Sequence, residues 1–196
     1  MTTTVLRVRS LLLLLFVLAL CVAPGASQAP SPQAAQASAP AAAVPGVRNF
    51  TRVDSTIACG GAVTAEAFEA LKQAGYKSVV NLRGGSEQGN DVEAAKKAAE
   101  AAGLSYFHLP FVPATPDMTM LDEFLKIVVK PENQPMMLHC ASGGRASMFW
   151  AVKRVMVDGW SVDKAMSELP ELSKNVSQPT RAAALDYLKA HGKVRP

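Results

Sequence analysis

From Thr56 onward, short apolar runs alternate with longer stretches in which apolar residues recur at helical spacing. Residues 56–59 read as a short strand. Thr64 is placed to cap a helix over 64–74, which Gly75 stops. Residues 77–82 (KSVVNL) form a β-branched run bounded by Gly84 and Gly85, the mark of a buried strand. Asn90, with Glu93 three residues on, predicts a capping box and a helix through Ala102, ended by Gly103. A strand over 104–109 follows. The prolines of 110–116 exclude both helix and central strand there. Thr119 caps a helix to about Val129, and 135–139 is the last clear strand. Helices are predicted over 145–157, 162–169 and 179–191, the last with Pro179 near its first turn. Strands alternating with helices imply an α/β fold with a central, mainly parallel sheet of four to five strands flanked by helices. Ligands in such sheets bind beyond the carboxyl ends of the strands, where the loop after His139 begins.

The first 47 residues follow another pattern. In residues 1–27, Arg7 and Arg9 precede an apolar run over 11–22, shorter than the ~20 residues a membrane span needs. Small residues follow, and a signal peptide cleaved after Ser27 is expected. A lipid anchor at Cys21, where Leu20 is bulky for such a signal, and an uncleaved anchor stay open, and these are the only membrane contacts expected. Residues 28–47 are nearly all Ala, Pro, Gln, Ser and Gly, a composition that cannot offset the entropy of ordering, so a flexible linker is expected. That leaves 48–196 as one domain, in an exported protein that works in the periplasm or is secreted. The net charge is +4 with Arg7 and Arg9 included, so the exported part is close to balanced. It lacks the basic stripe of a nucleic-acid binder, and no such partner is expected.

The chemistry concentrates in MMLHCASGGRAS, residues 136–147. An apolar strand runs into a loop of small residues and then into a helix. Ala141, Ser142, Gly143 and Gly144 carry so little side chain that backbone N–H groups can curl around an anion. The helix start near Arg145 adds unpaired N–H groups and the positive end of its dipole. Arg145 offers a planar fork for a tetrahedral oxyanion. The same surroundings favour Cys140 as a thiolate nucleophile. His139 is expected to order the loop through hydrogen bonds and so to help bind substrate. Singly, each residue has a plainer reading: a core thiol, a structural histidine, a turn. Their order favours function.

This segment, with ACGGAVTAEAFEALKQAGYKSVVNLRGGSE at 58–87 and SYFHLPFVP at 105–113, resembles the bacterial beta-lactamase hydrolase-like phosphatases of the protein tyrosine phosphatase-like superfamily. The resemblance spans about residues 50–168. It implies a protein tyrosine phosphatase-like fold and hydrolysis of phosphomonoesters, phosphotyrosine-like or small, through a phosphocysteine intermediate. Cys140 would be the nucleophile and Arg145 the phosphate ligand, with no cofactor and no metal. By analogy Asp117, in the proline-rich loop, would be the general acid; its other reading is a residue that starts the helix at Thr119. Glu87 and Asp91 are weaker candidates. Arg83 would either steer anions or be solvated.

Two departures keep rival readings open. The wider superfamily has five residues between Cys and Arg, and this loop has four. That gap resembles the rhodanese-like sulfurtransferases, in which the thiolate carries a sulfane sulfur. Ala146 replaces the usual hydroxyl after the arginine, with Ser147 one position further on, which favours a catalytically idle anion-binding envelope module. Trp150 and Trp160 are expected in the core. Finally, Cys59 ends the first strand on what is expected to be the same side of the sheet as Cys140. Either the two form a reversible disulfide that shields Cys140, or Cys59 is a core thiol without a partner.

Overall fold

The computed structural model describes residues 43–194. The expected signal peptide, Cys21 and most of the expected linker lie outside the described residues. The packed domain starts slightly before Arg48, because Val44 and Val47 are buried against Phe68 and its neighbours.

Five strands form one sheet: β1 (Thr51–Arg52), β2 (Ile57–Gly60), β3 (Ser78–Asn81), β4 (Ser105–His108) and β5 (Met136–His139). Their order is β1-β2-β5-β3-β4, parallel throughout except for β1, which pairs antiparallel with β2. The α/β architecture expected from the alternation is therefore present. Every residue of β2, β3 and β5 is buried, as continuous apolar runs covered on both faces require. Alternation along these strands divides the core in two. Ala58, Val79 and Met137 face helices α1 (Ala67–Gln73) and α2 (Val92–Ala101). Ile57, Cys59, Val80, Met136 and Leu138 face α3 (Thr119–Val128), α4 (Gly144–Met156) and α7 (Gln178–Ala190). Helix α4 is buried on nearly every side, and its Phe149 meets Phe111 and Phe124 edge-on at 5.1 and 5.4 Å. Trp150 is fully buried, and the Arg154 guanidinium lies 4.2 Å from its ring and 4.3 Å from that of Trp160.

Several local expectations shift. The helix expected over 162–169 becomes α5 (Val162–Ser167) and α6 (Leu169–Leu172), because Pro170 has no N–H to give the Met166 carbonyl. Asp91, not Asn90, caps α2 by accepting the Ala94 N–H at 2.9 Å. Thr64 stands before α1 as a backbone acceptor for Ala67 N–H rather than a side-chain cap. The helix expected to be capped by Thr119 instead has its start braced by Asp117.

Candidate active site

Strand β5 lies between β2 and β3, so the loop beyond its carboxyl end opens at the middle of the sheet. The Cys140 N–H still continues the ladder, donating to Gly60 O at 3.2 Å. Beyond it the loop is held from outside by the 47–62 segment. Ala62 N–H donates to Ala141 O at 3.1 Å, and Asn49 Nδ2 donates to Ser142 O at 3.0 Å. With that carbonyl held outward, the same peptide unit turns its N–H inward, and Gly143 N–H donates to Cys140 Sγ at 3.2 Å. Gly143 sits at φ +104°, which only glycine adopts at no steric cost. Gly144 opens α4, and any Cβ there would collide with the Asn175 carbonyl oxygen. Both glycines are therefore required by geometry. Asn49 itself sits at φ +50°, a region Asn tolerates better than most residues.

Arg145 is set by a frame of acceptors. Its Nη1 donates to Leu82 O and Phe111 O, each at 3.1 Å, and to Glu87 Oε2 at 2.9 Å, while Nη2 donates to Glu87 Oε1 at 2.9 Å. Glu87 thus takes one edge of the guanidinium. The Nε–H and the second Nη2–H lie on the other edge, beyond Glu87 and near Cys140, and form a fork for an oxyanion. Burial works against the Arg145 charge, but Glu87 and Cys140 outweigh it and hold the guanidinium protonated beyond its ordinary range.

Glu87 is in turn positioned by the 83–90 loop. Arg83 is buried rather than solvated, and it donates from Nε to Glu87 Oε1 at 3.3 Å, from Nη1 to Gly89 O at 2.8 Å and from Nη2 to Gln88 O. Asn90 closes the loop from Nδ2 to Gly84 O at 2.8 Å and accepts from Asn81 Nδ2 at 2.9 Å. Burial raises the Glu87 carboxyl, yet the hydrogen bonds and charge of Arg145, aided by Gly84 N–H and Arg83, prevail and hold it below the usual range. With both oxygens on arginines, Glu87 serves here as a clamp on Arg145. The sequence carries no signal for this clamp or for the Asn49 contact. The partner of each lies far along the chain, and no local spacing marks either contact.

Cys140, Ser142, Gly144 and Arg145 line a cavity of about 290 Å³, with Val112 and Pro113 on one wall and Asn175, Ser177 and Thr180 on another. Asp117 is not brought there. It is exposed, and its Oδ1 accepts from Thr119 N–H at 3.0 Å and Thr119 Oγ1 at 2.7 Å, bonds that hold the carboxyl below its ordinary range. Asp91 is spent on capping α2. His139 does not order the loop as expected. Its ring is buried, and neither nitrogen meets a hydrogen-bond partner of good geometry. Burial, reinforced by Arg83 and Arg145, pushes its imidazole down to about 4 against weaker contributions from the backbone of Cys140 and Gly61. Ser147 does not replace the missing hydroxyl, since its Oγ donates back to Gly143 O and Gly144 O at 3.0 and 3.1 Å.

Cys59 faces the same core as Cys140, but both are free and buried. Cys59 pairs in register with Leu138, and Cys140 is two residues further on, about 8 Å away at ordinary strand spacing, against the ~7 Å a disulfide spans. Burial, then the proximity of Cys140, pushes the Cys59 thiol well above its ordinary value. In this structure it is a core thiol.

The sequence family described as "DSP-PTPase phosphatase fused to NAD+ Kinase" matches residues 47–186. A beta-lactamase hydrolase-like protein of Xylella fastidiosa is 32% identical over 111 residues, 55% of this chain and 25% of that protein. The chain thus spans about a quarter of the length of the curated relatives it matches. Among solved structures, a DUF442 protein of Shewanella putrefaciens superposes with a TM-score of 0.62 at 18% identity, covering 74% of this chain and 94% of that one. TpbA of P. aeruginosa gives 0.58 at 19% identity, covering 72% and 91%. At these identities the structures show a shared fold.

Proposed function

The chain belongs to the DSP-PTPase phosphatase family, and on that premise we propose that it hydrolyses phosphomonoesters through a Cys140 phosphoenzyme. The observation that carries the reading is the pairing of Cys140 Sγ, held under the Gly143 N–H, with the Arg145 guanidinium in one cavity. The Cys140 thiolate attacks phosphorus as the ester P–O bond breaks. The loop N–H groups and the Arg145 fork take up the charge on the equatorial oxygens. Water then attacks phosphorus, the S–P bond breaks, phosphate leaves and the thiolate is restored. TpbA, which shares the fold, has been solved in complex with pTyr, and a phosphotyrosine-like substrate suits this reading. The charged n-region and apolar run of residues 1–27 support work outside the cytoplasm, which fractionation of cells making the full chain would test.

The test is a parallel assay of wild type and Cys140→Ser with p-nitrophenyl phosphate and thiosulfate. Phosphate release that disappears in the variant, with tungstate still bound, is expected, because the cradle is backbone and Arg145 rather than sulfur. Turnover surviving the substitution removes Cys140 as nucleophile. The loop of four residues between Cys140 and Arg145 favours a second reading, a persulfide carrier, which sulfur transfer from thiosulfate without phosphate release would support. Anion binding without either turnover would point to an idle module, the reading Ala146 favours.

A further inference from the structure

We propose that a second cavity beside the catalytic one is a substrate subsite, and that it takes the side chain next to the phosphorylated residue of a phosphopeptide. The proposal rests on the phosphatase reading above and narrows its substrate class. The cavity holds about 240 Å³, against about 290 Å³ for the one that contains Cys140, and lies between segments 49–51 and 170–175. A thin wall separates the two. Asn175 lines both, and Asn49, at the second cavity, donates to the carbonyl of Ser142, which lines the first. Ser173 also lines the second cavity, and its Oγ is 3.5 Å from where a Cβ on Gly143 would sit. A chain that leaves the first cavity over Ser142 and Asn175 therefore enters the second directly. Its walls are held in advance, which lowers the cost of binding there. Phe50 meets Tyr76 edge-on at 6.3 Å, Ser173 N–H donates to Leu169 O at 2.8 Å, and Asn175 N–H donates to Ser173 Oγ at 3.1 Å.

The lining says what fits. Phe50 and Leu172 give the cavity apolar sides for the stem of a side chain, and Thr51 and Lys174 bring a hydroxyl and an ammonium for its head. The neighbouring backbone favours an extended peptide over a small ester. Strand β1 is an edge of the sheet, its Thr51 pairs with Cys59, and Val53 N–H donates to Ile57 O. Alternation along an antiparallel pair then turns the N–H and C=O of Arg52 away from β2, toward the open edge. A peptide lying beside β1 can pair with them, main chain to main chain. Charge sets the preference for the side chain. Lys174 is exposed and adjoins Asn175, the shared residue, whereas Glu171 lies toward the other end of the segment. An acidic residue beside the phosphorylated one thus meets the opposite charge first, and a basic one meets its like.

The test uses the full chain and measures kcat/KM for p-nitrophenyl phosphate and for phosphotyrosine peptides that carry Glu or Lys on either side of the phosphotyrosine. Each peptide value is read as a ratio to p-nitrophenyl phosphate in the same protein, so that a general loss of folded enzyme cancels. Wild type should prefer Glu to Lys by about fivefold on one side of the phosphotyrosine, the worth of an exposed charge pair. Lys174→Glu should reverse that order, and Lys174→Arg should keep it. Indifference to the flanking charge on both sides would overturn the proposal. So would a preference that Lys174→Glu leaves in place, or peptides turned over no better than p-nitrophenyl phosphate. Cys140→Ser separates the premise, because its p-nitrophenyl phosphate activity should vanish. If that activity persists, the phosphoenzyme reading falls and takes this proposal with it. Failure of the subsite alone leaves p-nitrophenyl phosphate turnover dependent on Cys140 while the peptides show no preference.

Discussion

Replacing His139 with glutamine removes a titrating ring from a place where it is held neutral. The ring is buried among β2, β3 and β5, in register with Gly60 and Asn81, and neither nitrogen has a hydrogen-bond partner. Burial pushes its imidazole from an ordinary 6.5 down to about 4. The sign follows from which state takes the proton. Below 6.5 the unfolded chain protonates this histidine and the folded protein does not, so the folded state loses ground as pH falls. The loss begins near 6.5 and is complete below about 4. At about 1.4 kcal/mol for each pH unit of that gap, it amounts to roughly 3 kcal/mol. Typical domains have only about 5–15 kcal/mol of stability, so the loss is a large fraction of the whole. Urea unfolding at a series of pH values, followed by tryptophan fluorescence with Trp150 as a buried probe, measures it. Wild type should lose about 3 kcal/mol more than His139→Gln between neutral pH and pH 4. Parallel losses in the two proteins would refute the account of a ring kept neutral by burial.

Arg145→Lys should cut kcat/KM about 100-fold or more, since an ammonium cannot grip Glu87 along one edge and an anion along the other; an unchanged efficiency would remove Arg145 from the site. Asn49→Ala frees the Ser142 carbonyl and should lower kcat about fivefold, the worth of one neutral hydrogen bond, with KM nearly unchanged. A lower melting temperature with kcat intact would instead make Asn49 a purely structural contact. After peroxide, Cys59→Ser and wild type should be rescued by dithiothreitol to the same extent. Rescue confined to wild type would show that a movement brings Cys59 to Cys140.

What was legible in the sequence was what is local. Runs such as KSVVNL and MMLH announce buried strands because parallel strands covered on both faces need continuous apolar residues. The Cys140–Arg145 loop could be read because a cradle of backbone N–H groups demands small residues in a row, and Gly143 and Gly144 prove to be required by a positive φ and by the approach of Asn175. Asp117 shows the limit. An aspartate two residues before a threonine at a helix start looks the same in sequence whether it faces a substrate or braces the helix, and the bond to Thr119 favours bracing.

The long-range contacts explain the rest. Glu87 grips Arg145 across 58 residues, and Asn49 reaches Ser142 across 93, so neither pair leaves a periodic mark. Both contacts depend on the order β1-β2-β5-β3-β4, which brings the N-terminal segment to one flank of the Cys140 loop and the 83–90 loop to the other. The last strand in the chain is inserted between two earlier ones. Loops that are distant in sequence therefore become the two jaws that fix Cys140 and Arg145. Each jaw holds a different part of the site: Asn49 sets the peptide unit whose N–H faces the Cys140 sulfur, while Glu87 takes one edge of Arg145.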